Sequence, residues 1–61
     1  MSKKDNLIML FPEIGDKKEI TDVMLEAGIQ TEGVIKTYCW ELRRDNIIDL
    51  RIKFGWLKRV N

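Results

Sequence analysis

TEGVIKTYCWELRR, residues 31–44, runs into Asp45-Asn46-Ile47-Ile48 and decides the fold. At 100° per residue it reads as an amphipathic helix. Ile35, Cys39 and Leu42 fall within about 60° of one another, with Thr31 and Tyr38 flanking them. Gly33, Lys36, Thr37, Trp40 and Arg44 fall on the opposite side, with Arg43 near its edge. A helix that buries Ile35, Cys39 and Leu42 therefore presents a basic face with one aromatic, and a glycine at its N-terminal end. That face is a candidate recognition surface. The remaining elements are expected to hold this helix and aim it.

Downstream the period changes. Asn46 tolerates the left-handed conformation and can stop the helix. Ile48, Leu50, Ile52 and Phe54 then alternate with Asp49, Arg51 and Lys53, which predicts a half-buried strand. Gly55 permits a turn, and Trp56-Leu57-Lys58-Arg59-Val60 returns as a second strand. Trp56 is expected to be a core anchor, covering the sheet against the first helix. Arg51 and Lys53 share the outward face.

Upstream, Thr21 is a good N-cap and Asp22 suits the positive end of a short helix. Val23, Met24 and Ala27 mark its apolar side, Gly28 ends it in a left-handed cap, and Ile29 returns to the core. Residues 17–20 are short and can be extended. A first helix is expected over about residues 4–11, capped by Asp5 or Asn6. Pro12 ends it by disfavouring the helical region for Phe11. Ile14 is expected to pack inward, with Gly15-Asp16 making a turn.

Sixty-one residues make one domain with a small core. Apolar content is ordinary and the charges are of mixed sign, which argues against disorder. There is no histidine, and a single cysteine excludes an intramolecular disulfide or a cysteine-rich zinc site. Cys39 on an apolar helix face reads as core rather than nucleophile. The carboxylates are scattered, mostly beside lysines, and no phosphate-cradling loop appears. Glu41 and Asp45 share a helix with adjacent arginines and read as structural. No enzyme activity, cofactor, metal or small-molecule substrate is expected. The longest apolar run, residues 7–11, is too short to span a membrane. Two lysines precede it, but no small-residue cleavage site follows as in a leader, so a cytoplasmic protein is expected.

Charge is unevenly placed. Through Ile35 there are four basic and seven acidic residues; from Lys36 onward there are seven basic and three acidic. The C-terminal part thus carries a local positive field, which suits an anionic partner.

The order is helix, two-turn helix, Gly-Ile turn, longer helix, hairpin. Residues 20–29, ITDVMLEAGI, resemble the second helix and turn of a winged helix-turn-helix domain. Residues 42–48, LRRDNII, resemble the exit of its third helix into the wing. The resemblance covers most of the chain and implies a mainly α fold with a small β-hairpin, of the kind found in small phage- or plasmid-type regulators. Three departures stand out. Asn46 replaces the usual glycine, the Gly28-to-Ile35 spacing is one residue longer than usual, and the wing lacks a glycine-rich tip, so it is expected to be short. The family mostly binds double-stranded DNA. The resemblance therefore implies a recognition helix over residues 31–45 in the major groove, with the hairpin over residues 47–60 as a wing. The implied DNA contacts are Gln30, Thr31, Gly33, Lys36, Thr37, Trp40, Arg43, Arg44, Arg51 and Lys53, with a homodimer for specific binding. The rival class is a protein-interaction module. There Trp40 is a hot-spot anchor ringed by arginine and threonine, and the partner is a polymerase subunit or host factor. Trp40 could instead pack under the hairpin or in a dimer contact, and Gly33 could mark a frayed helix start.

Overall fold

The computed structural model describes residues 2–61. In chain order the elements are α1 (Lys3–Met9), β1 (Lys17–Glu19), α2 (Ile20–Ala27), α3 (Glu32–Arg44), β2 (Leu50–Lys53) and β3 (Trp56–Arg59). The strands form one antiparallel sheet in the order β1-β3-β2. The hairpin expected to stand alone therefore gains a third strand. Lys17-Lys18-Glu19 has no apolar alternation of its own; it is a strand because β3 offers it a free edge.

α1 begins at Lys3, one residue earlier than expected, and its cap is Ser2 rather than Asp5 or Asn6. The Ser2 hydroxyl accepts the Asp5 backbone N–H at 3.1 Å. It ends at Met9, and Phe11 is fully buried just beyond it. Ile14 does not pack inward; it is 65% exposed. It lies at the outer corner of a turn in which Asp16 N–H donates to the Glu13 carbonyl and the Asp16 carboxylate accepts Glu13 N–H. Gly15, at φ +98, supplies the positive φ.

Thr21 is not the cap of α2. The helix starts two residues earlier, directly out of β1, and Glu19 occupies the cap position without a side-chain bond. The Ile20 N–H, which opens the helix, instead donates to the Gly55 carbonyl at 2.9 Å, so the hairpin turn replaces a side-chain cap. α2 and α3 then end alike. Gly28 at φ +73 and Asn46 at φ +58 both turn left-handed. After each, the next N–H reaches back five residues, from Ile29 to Met24 and from Ile47 to Leu42. This is the Schellman closure, built once on glycine and once on asparagine. Thr31 takes the N-cap position of α3, but its hydroxyl makes no capping bond.

Ile35, Cys39 and Leu42 are buried, as the helical spacing predicts, together with Val23, Ala27 and Ile29. Leu7 and Phe11 close this core from the α1 side, and Ile48, Leu50 and Leu57 from the sheet. Lys4 ties α1 to α3 through Glu41 at 3.1 Å.

Two expectations about the hairpin fail for one reason. Phe54 is 90% exposed and Trp56 is 37% exposed, while Leu57 is fully buried. The turn has only two residues, Phe54 and Gly55, because Lys53 pairs with Trp56 and Ile52 with Leu57. Ile52 faces inward, so its partner Leu57 does too. Lys53 faces outward and takes Trp56 with it. Both turn residues have positive φ, +50 and +79, the pattern of a type I′ turn. Phenylalanine is a poor choice there, since a left-handed L-residue costs about 1–2 kcal/mol. Phe54→Asn is therefore expected to stabilise the protein by about 1 kcal/mol. In a domain this small that raises the thermal midpoint by about 4–8 °C. A melt at or below that of the parent would show that Phe54 is held by contacts the turn geometry does not explain.

Candidate functional site

Burial of Ile35, Cys39 and Leu42 leaves the opposite stripe of α3 in solvent. Gly33, Lys36, Thr37, Trp40, Arg43 and Arg44 are all exposed there, as the helical spacing predicts. Trp40 is 53% exposed, so it does not pack under the hairpin. The Arg44 guanidinium lies 4.8 Å from the centre of its ring, an arginine–indole stack that gives the face a flat centre. Arg44 also bonds the Asp45 carboxylate through Nε at 3.1 Å, which holds the guanidinium still more firmly protonated. That pair is exposed and yields readily to a phosphate. Among the described residues, Lys36 and Arg43 have no carboxylate within 4.0 Å.

Gly33 sits inside the first turn of α3, and a Cβ there would meet nothing within 4 Å. Nothing in the chain itself requires a glycine at that point. The carbonyl of Gly33 accepts the Thr37 hydroxyl at 3.0 Å, so Thr37 is turned back along the helix. Gln30 and Thr31 are exposed just ahead of it.

Arg51 and Lys53 lie elsewhere, on the outer face of the sheet. Arg51 is held by Asp49 through two bonds, at 2.9 and 3.0 Å. The predicted contacts therefore divide between the α3 stripe and the sheet. The sheet also carries three residues that periodicity alone does not single out, Lys17, Trp56 and Lys58. Strand parity could have found them, had the length of the turn been known. Arg59 faces inward and is occupied, donating to the Phe11 carbonyl at 2.8 Å.

Cys39, the single thiol of the chain, lies on α3, and its surroundings suppress it. Burial first, and the Asp49 carboxylate second, raise the thiol from its ordinary 9.0 to about 11. Between those values the unfolded chain sheds a proton that the folded chain keeps. Stability from this source is whole below pH 9 and falls as pH rises toward 11. Cys39→Ala is expected to flatten the loss of stability with pH across that window, as read by denaturant unfolding. Parallel slopes for the two chains would show that the thiol ionises as freely folded as unfolded.

Among the described residues, no three His, Cys, Asp or Glu side chains gather as a metal ion would need. Nor is any helix long and apolar enough to cross a membrane. No protein-family model, curated protein or solved structure matches the chain.

Proposed function

We propose that this chain is a winged helix-turn-helix protein that binds double-stranded DNA, as a transcription regulator or a DNA-architectural factor. The observation that carries this reading is the α3 stripe. Three cations and an indole face solvent on a helix whose opposite side is locked into the core. The order of the elements and the short basic hairpin beside the helix support it. α3 enters the major groove, where Lys36, Arg43 and Arg44 meet phosphates or, for an arginine, a guanine edge. Lys53, beside the hairpin turn, meets the flanking backbone. Such a module acts by binding and needs no cofactor or catalytic group. Two copies together would give specific binding.

A second reading, a protein-interaction module, rests on the half-exposed Trp40 with Arg44 stacked on it. Burying that pair in a partner's pocket would make it an interface anchor. The two readings separate in one experiment, duplex binding followed through rising salt. DNA binding through the stripe is steeply salt-dependent, and a Trp40-anchored protein contact is not.

A further inference from the structure

We propose that the outer face of the sheet is a separate site for single-stranded nucleic acid, with phosphates on a cation row and bases on Trp56 and Phe54. It uses a different surface from α3, shares only Lys53 with the duplex reading and does not rest on it.

The strand register builds the row. Lys17 pairs with Lys58, and Lys58 with Arg51, so three cations stand side by side across three strands. Neighbouring strands are about 4.8 Å apart. Like charges directly opposite one another destabilise a sheet. Lys58, in the middle, has a cation on both sides and, among the described residues, no carboxylate within 4.0 Å. The fold gains nothing from a lysine at that point. Only Arg51 is neutralised, by Asp49.

The next row is Glu19, Trp56 and Lys53. Its single carboxylate lies at the β1 edge, and an indole stands beside the cations. The Lys17 ammonium is 4.7 Å from the centre of that indole, so a phosphate taken by Lys17 sits next to a surface for a base. At the tip, Phe54 is 90% exposed in a left-handed conformation that suits asparagine or glycine. The chain thus keeps Phe54 in solvent against its conformational preference, with the Lys53 ammonium 5.6 Å from its ring centre, and leaves Trp56 partly exposed beneath Lys17. Strain of this kind collects at functional positions. A shallow groove of about 570 Å³ runs between these side chains.

Cations interleaved with exposed aromatics are what a single strand requires, since it offers phosphates and unstacked bases together. A duplex keeps its bases stacked inside and would leave Trp56 and Phe54 without partners. An acidic peptide would answer the cations alone.

The test uses the whole chain, a labelled oligo(dT) strand and a random-sequence duplex at low salt. Lys58→Glu breaks the like-charge row, so it is expected to melt at or above the parent while binding oligo(dT) about tenfold or more weakly. Trp56→Ala is expected to lose a similar factor, and Phe54→Asn to lose part of it. In a Trp40→Phe background, oligo(dT) should quench the remaining Trp56 emission. Duplex binding, carried mainly by α3, should fall much less in Lys58→Glu than oligo(dT) binding does. Three results would overturn the proposal. One is no oligo(dT) binding by the folded parent. The second is oligo(dT) affinity unchanged in Lys58→Glu and Trp56→Ala. The third is poly-glutamate quenching Trp56 and displacing oligo(dT) at equal charge, which would mark a surface for an acidic protein. Failure of duplex binding alone leaves this site standing and removes only the α3 reading.

Discussion

Leu42→Ala is expected to lose about 2–5 kcal/mol of stability, enough to leave most molecules unfolded. Leu42 is fully buried at the C-terminal end of the α3 stripe that faces the core. Its backbone carbonyl also closes the helix end by accepting the Ile47 N–H at 3.0 Å. Among the described residues the core holds twelve buried apolar side chains, so none is redundant. A domain of this length has a few kcal/mol to lose in total. The measurement is a thermal or urea melt of the variant beside the parent. A midpoint within a degree or two of the parent would mean that α3 presents its other face to the core, and the basic stripe would then be misplaced as well.

The second large effect concerns binding. Lys36→Ala and Arg44→Ala are each expected to weaken duplex affinity and to flatten its salt dependence by roughly one unit of slope, with the melt unchanged. Both side chains are exposed, so neither change opens the core. Arg44 gives up only an exposed pair with Asp45 and a stack on Trp40 when it meets a phosphate. Trp40→Ala should cost less than either, because an indole neutralises no charge. It removes the platform under Arg44, not the cation. The protein-interaction reading predicts the reverse order, with Trp40 dominant.

How legible these features were depends on the distance over which each is determined. The α3 stripe is local. Its 3.6-residue period alone places Ile35, Cys39 and Leu42 in the core and the cations outside, and the structure agrees. The left-handed closures at Gly28 and Asn46 are local too, since they follow from which residues tolerate positive φ. β1 is not local. Three charged or polar residues carry no pattern, and their pairing with β3 joins residues about forty apart in sequence.

Trp56 and Leu57 show the same limit more sharply. Both are large and apolar, and each could face the core. The choice is made by the two-residue turn before them, because moving the register by one would exchange the two faces. The cation row on the sheet inherits this. Lys17, Lys58 and Arg51 come from three separate stretches, and only the register makes them neighbours. The α3 part of the candidate site was therefore readable from spacing, while the sheet part needed coordinates. Even there one half was visible, since Arg51 and Lys53 are two apart on one strand and face outward together.

The central claim is that the exposed stripe of α3 grips duplex DNA. Affinity of the intact chain for a random-sequence duplex, followed by anisotropy from low to physiological salt, tests it most directly. The account predicts measurable binding at low salt and a straight log–log fall, with a slope of about −0.9 for each phosphate neutralised. No binding to any duplex at low salt, by a chain whose melt shows it folded, would contradict it.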